Sequence, residues 1–139
     1  MVVSGMMGWM ASFLSGEWLD QLAAAAHDDE DLRTATTGVA LTVQQVVTGG
    51  PDGEVAWYVR LADGKVEIGP GRTPDPDVVI TESHATATEV SRGDLTPAEA
   101  FASGRLKLGG QIGLLVRHHH AFDQLAAAMA AVHDTTTYP

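Results

Sequence analysis

The sequence predicts an α+β fold in which a five-stranded sheet is covered on one face by helices, and three observations lead there. Most of the strand-like segments come first, between residues 38 and 81, and most of the helix-like segments come later, the order of an α+β domain rather than of alternating βαβ units. Within residues 54–62, Val55, Trp57, Val59 and Leu61 alternate with Ala56, Tyr58 and Arg60, so one face of a sheet is buried and the other partly wet. Residues 111 to about 133 are rich in Ala and Leu at helical spacing and predict one long closing helix.

The remaining elements follow in order. Residues 1–14 carry no charged side chain, and Met6, Trp9, Met10, Phe13 and Leu14 recur at the spacing of an amphipathic helix, expected to pack on the core or on a second copy, or to serve as a lid. The segment lacks a basic start, and Glu17 and Asp20 arrive before the about 18 apolar residues that a spanning helix needs, so we expect neither leader nor anchor. Ser15 is placed to cap a helix through about His27, with Trp18, Leu19, Leu22 and Ala25 or Ala26 on one face, and the acidic run 28–31 is expected to end it.

Residues 38–48, rich in Val, Leu and Thr, make the first strand, and the turn 49–53 leads into the strand 54–62. Asp63-Gly64 is a hairpin turn into 65–68, and a Pro/Gly-rich connection, 69–76, leads to a fourth strand at 77–81. A helix over 83–92 is stopped by Gly93, and Thr96-Pro97-Ala98-Glu99 is a capping box with proline at the first helical position. That second short helix ends at Gly104; Arg105 to Leu108 form the fifth strand, and Gly109-Gly110 turn the chain into the final helix. The expected organisation is an apolar extension, 1–14, one domain, 15–133, and a polar tail, 134–139.

Composition narrows the function classes. The 139 residues suit one domain, and 45% hydrophobic with 19% charged residues is too apolar for disorder and too mixed for a membrane protein. Eight Lys and Arg against 18 Asp and Glu give a net charge of -10, the wrong sign for releasing counterions from phosphates or for an anionic lipid surface. We therefore expect no nucleic-acid partner and no stable membrane insertion. With no cysteine there is no disulfide, no thiolate catalysis, no cysteine zinc site and no iron–sulfur cluster, and a cytoplasmic location fits. Neither a phosphate-cradling Gly-rich loop nor Gly-x-Ser-x-Gly is present, so no cofactor and no catalytic residue is expected.

His118-His119-His120 invites a metal, but helix neighbours diverge by about 100° each and cannot converge on one ion, so no metal is expected. On a wheel, Leu114, Leu115, Phe122, Leu125, Met129 and Val132 share one side, with His118 near its middle, His119 at its edge and His120 toward water. A histidine so placed is a hydrogen-bonded core residue, a polar group in a ligand pocket or, least often, an acid or base.

The stretch Pro76-Asp77-Val78-Val79-Ile80-Thr81, the run Gly93-Asp94-Leu95-Thr96-Pro97-Ala98-Glu99-Ala100-Phe101, and Gly104-Arg105-Leu106-Lys107-Leu108-Gly109-Gly110 with Ile112-Gly113-Leu114 together resemble the sterol carrier protein 2 (SCP-2) domain family in order and spacing. The first half agrees through Trp57 and the Asp63-Gly64 turn. The resemblance implies that the sheet and helices enclose an apolar tunnel. It also implies carriage of a sterol, fatty acid, acyl-CoA or other lipid without chemistry. The positions it assigns to the tunnel are Phe101, Leu106, Leu108, Ile112, Leu115 and Val116, with Trp57 beneath, and the helical stripe adds Phe122 and an orienting His118 or His119.

The composition, rich in Ala, Val, Gly and Asp and poor in Lys, suits a stand-alone member from a high-GC bacterium. Two rivals remain at this point. One is an enzyme of the same fold with His118 as acid or base on a hydrophobic intermediate. The other is a dimerisation or accessory module, as in a homodimer, whose groove is filled by residues 1–14.

Overall fold

The computed structural model describes residues 10–138, and the structural statements below refer to them. The chain begins with β1 (Ala11–Ser12), α1 (Gly16–Asp28) and α2 (Glu30–Ala35), followed by β2 (Ala40–Gly50), β3 (Gly53–Ala62), β4 (Lys65–Pro70) and β5 (Val78–Ser83). The second half holds α3 (His84–Arg92), α4 (Pro97–Ala102), β6 (Leu106–Gly110), α5 (Ile112–Arg117), α6 (His119–Ala131), a 3-10 turn (His133–Thr135) and β7 (Thr136–Thr137). Five strands form one sheet in the order β4-β3-β2-β5-β6, antiparallel except for the parallel pair β2 and β5.

Local chemistry explains most of these elements. Ser15 accepts a hydrogen bond from the Trp18 N–H at 3.2 Å and caps α1, and Ser83 does the same for Thr86 N at the start of α3. The Asp63-Gly64 turn between β3 and β4 places both residues at positive φ, 46° and 86°, which matches the right-handed twist of a two-residue hairpin. Gly110 ends β6 at φ 83°, where a Cβ would stand 2.4 Å from the Asp77 carbonyl oxygen, so only glycine fits.

Strand register sets what the helices cover. Trp57, Gln45, Ile80 and Leu108 lie in one row across β3, β2, β5 and β6, and Val55, Val47, Glu82 and Leu106 in the next row on the same face. At the β3 end of that face Trp18 of α1 lands on the sheet, its ring edge-on to Trp57 at 5.5 Å and to Phe13 at 4.9 Å. Trp18, Leu22, Leu32, Leu41 and Leu61 are all at most 2% exposed, which puts the densest packing under α1 and α2. On the opposite face Gln44 donates to the carbonyls of Trp57 (2.9 Å) and Gly71 (3.0 Å) and accepts from Thr73 N (2.8 Å), pinning the 71–73 loop to the sheet.

Four expectations change. The amphipathic helix expected for 1–14 falls mostly on residues 1–9, outside the described residues; within the remainder, Ala11–Ser12 is a strand paired in parallel with Thr136–Thr137, and Leu14 has φ 69°. Strand pairing overrides the helical spacing there, since Phe13 N also donates to Thr137 O at 2.9 Å. The acidic run does not close the first helical region, because Asp29 accepts from Leu32 N at 3.0 Å and caps α2, with Glu30 and Asp31 in the favourable first turn.

The long closing helix is two helices, α5 and α6, broken at His118 with φ -109° and ψ 29°. Beyond the break α6 buries Ala121, Leu125, Ala128 and Met129, whereas α5 buries none of its residues. Residues 134–138, read as a tail, add β7 and place the Tyr138 hydroxyl 2.9 Å from Ser91 Oγ.

Candidate functional site

Beyond β2 the helical cover thins. α4 is fixed by the expected capping box, with Glu99 N donating to Thr96 Oγ1 at 3.1 Å and Glu99 returning a carboxylate to Thr96 N at 3.1 Å. It is only six residues long, as is α5, which buries none of its residues. Between these helices, α6 and the β5–β6 end of the sheet lies a cavity of about 310 Å³.

Its walls are Ile80, Leu106 and Leu108 from the sheet, Pro97, Ala98 and Phe101 from α4, Ile112, Leu115 and Val116 from α5, and His119, Phe122 and Asp123 from α6. Ile112 is 38%, Phe101 54% and Val116 70% exposed, a cluster of apolar side chains that the fold leaves without a partner. A second, smaller pocket of about 50 Å³ shares Ile80, Pro97, Leu106 and Phe122 with it and is also lined by Gln45, Glu82, Val90, Leu125, Ala126 and Met129.

Eight of the ten residues expected at the site line this cavity: Phe101, Leu106, Leu108, Ile112, Leu115, Val116, His119 and Phe122. Trp57 does not. It occupies the same face and row as Ile80, but two strands away, about 10 Å across the sheet, and is 2% exposed against Trp18. Nor does His118 line it, because the break between α5 and α6 puts this residue at the bend rather than in the middle of a continuous stripe. His119 takes the lining position instead, at the mouth, with Nδ1 3.1 Å from the Val116 carbonyl oxygen.

Gln45 and Glu82 are the polar lining residues that the sequence reading missed. A signal was present, since Val78, Ile80 and Glu82 share one face of β5 by the period of two, so a strand with Ile80 inward carries Glu82 inward as well. Burial pushes the Glu82 carboxyl up to about 7. Arg105, beside it on the chain leading into β6, is engaged elsewhere: its guanidinium pairs with Glu89 and donates to Thr86 Oγ1 at 3.2 Å.

Glu82 thus lines the smaller pocket and His119 with Asp123 the larger, and the residues that the two share are apolar. Among the described residues no three His, Asp or Glu side chains converge as metal ligands, and no helix is long and apolar enough to cross a membrane. Such an arrangement can shelter an apolar molecule and orient its polar ends.

Comparison with known proteins shows what the chain is similar to. A family model described as the SCP-2 sterol transfer family matches residues 19–123. Sterol carrier protein 2 of Bos taurus is 32% identical over 72 residues, 51% of this chain and 13% of the relative. Hydroxysteroid dehydrogenase-like protein 2 of Xenopus tropicalis is 28% identical over 102 residues, 73% of this chain and 23% of that protein. The chain therefore corresponds to less than a quarter of the length of either relative. A crystal structure of sterol carrier protein 2 superposes with a TM-score of 0.74 at 24% identity, covering 86% of this chain and 98% of that one, which shows the shared fold.

Proposed function

Given that the chain belongs to the SCP-2 sterol transfer family, we propose that it takes a hydrophobic small molecule into the cavity between α4, α5, α6 and the β5–β6 end of the sheet and carries it through water without chemistry. The observation that carries this reading is the unpartnered apolar wall of Phe101, Ile112, Leu115 and Val116, which a ligand would cover. Sterols, fatty acids, acyl-CoA and other lipid-like metabolites are the candidate cargo. Each buried methylene contributes about 0.8 kcal/mol, so about ten of them supply roughly 8 kcal/mol before ordering costs, and affinity depends on how much of the chain enters.

The acid–base alternative draws no support from His118, which lies outside the cavity lining. The groove-filling alternative draws no support from residues 11–14, which pair with β7 and pack on Trp18 and Tyr138 away from the cavity.

The test is to purify the full chain without a histidine tag, extract it with organic solvent and identify stoichiometric ligand by mass spectrometry. A co-purifying lipid supports the carrier; an empty protein that also fails to bind a fluorescent lipid probe overturns it. Leu115→Asp puts a charge into the apolar wall and is expected to lower probe affinity by at least about tenfold with the melting temperature little changed. Unchanged affinity would move the site elsewhere.

A further inference from the structure

We infer that a pocket at the β4 edge of the sheet, the end remote from the apolar cavity, binds a small soluble phosphate monoester between Arg33 of α2 and Lys65 of β4. The inference is independent of the carrier reading, because the two sites share no lining residue.

The pocket measures about 570 Å³ and inverts the charge of the chain around it. Its lining brings His27, Arg33, Arg60 and Lys65 together over the small apolar side chains Ala26, Ala62 and Val66, and among the described residues Glu67 is its only carboxylate. Arg60 cancels that charge, since its guanidinium donates to Glu67 Oε2 at 2.6 Å and to Thr73 Oγ1 at 3.1 Å. A positive surplus is left in a chain whose net charge is -10. Arg60, Arg72, Arg92 and Arg105 each pair with a carboxylate, whereas Arg33 and Lys65 form no ion pair among the described residues, and both line this pocket.

The backbone holds these two cations on one wall. In the turn that leads into Lys65, Gly64 N donates to Thr36 O at 3.1 Å and Asp63 N to Val39 O at 2.9 Å, which staples the hairpin to the chain just after α2. Asp63 is itself occupied, accepting from Gly38 N at 2.8 Å. The turn lies so near α2 that a Cβ on Gly64 would stand 3.7 Å from the Arg33 carbonyl oxygen. A neighbouring pocket shares Arg33 and Lys65 but adds Glu30 and Asp63, so the anion is assigned to the first.

A phosphate monoester carries a charge of about -1.5 to -2 at pH 7 and three acceptor oxygens, which suits one guanidinium and one ammonium, with the His27 ring N–H as a further donor. Charges beyond a Debye length of about 8 Å are largely screened, so a small ion responds to the lining rather than to the net charge. An anionic bilayer would meet the whole acidic surface, which favours a soluble source.

The experiment titrates the isotope-labelled full chain with glycerol phosphate and follows the backbone amide shifts by NMR. Saturable shifts centred on Arg33, Gly64 and Lys65 are expected, with a dissociation constant of about 1 mM or below, and glycerol alone should give none. Arg33→Gln and Lys65→Gln should each weaken binding about tenfold. Lys107→Gln removes an unpaired cation from the opposite edge strand and should leave the affinity unchanged. Shifts that do not saturate, or an equal loss in Lys107→Gln, would reduce the effect to general charge attraction and overturn the site. Capture of the wild type by phosphatidic acid vesicles, with no binding of glycerol phosphate, would overturn the soluble ligand.

Discussion

One sheet face is closed at one end and left open at the other. Under α1 and α2, on the β3–β2 side, Trp18, Trp57, Leu22 and Leu61 are at most 2% exposed. Under α4 and α5, on the β5–β6 side, Leu106 and Leu108 are only half-buried and Phe101 and Val116 face solvent. The residue types and the strand alternation are alike, so hydrophobicity does not distinguish the two ends. Cover does: α1 spans 13 residues and sets a tryptophan on the sheet, whereas α4 and α5 have six residues each and leave a gap. The closely packed core lies at one end of the layer, and the open cavity at the other.

The largest expected effect tests the closed end. Trp57→Ala removes a ring packed against Trp18 and should cost about 3–5 kcal/mol, read as a lower midpoint in denaturant. A folded protein of normal stability that fails only in lipid uptake would instead return Trp57 to the binding site and erase the contrast.

Glu82 sharpens the comparison through pH. Its folded-state value is about 7 against an ordinary 4.5, so between those values the folded protein holds a proton that the unfolded chain has lost. Stability should therefore fall as pH rises from about 4.5 to 7 and level off above, by at most about 3 kcal/mol and less to the extent that the carboxyl stays solvated. Glu82→Gln should abolish that fall, leaving its gain over the wild type greatest at pH 8; equal slopes for the two proteins would remove Glu82 from a buried site. The smallest effect is expected at the open end, where Val116→Ala, at a 70% exposed position, should change stability by less than about 0.5 kcal/mol.

Much of this was legible beforehand, for reasons local to each segment. The Thr96–Glu99 capping box, the Asp63-Gly64 hairpin and the alternation through Trp57 are each decided by contacts within a few residues, and they appear where the sequence places them. The motifs from Asp77 to Leu114 carried the family resemblance and, with it, six lining residues on three elements, and the helical stripe added His119 and Phe122 on a fourth. Trp57 falls outside the cavity lining because period and motif report which face a residue takes, not how far along the sheet a helix lands. His118 falls outside it because a helical wheel assumes one axis, and the axis bends at that residue.

By itself, then, the sequence determined most of the elements, caps and turns, the inward face of the five sheet strands and the apolar character of the cavity, since all of these rest on short-range sterics and side-chain period. Tertiary structure alone decided where residues 11–12 and 136–137 pair, where the last helix breaks, and which stretch of the sheet stays uncovered. It also decided that Gln45, 35 residues before Ile80, lines the smaller pocket with Glu82. Those outcomes depend on which distant surfaces meet, and no local spacing encodes that distance.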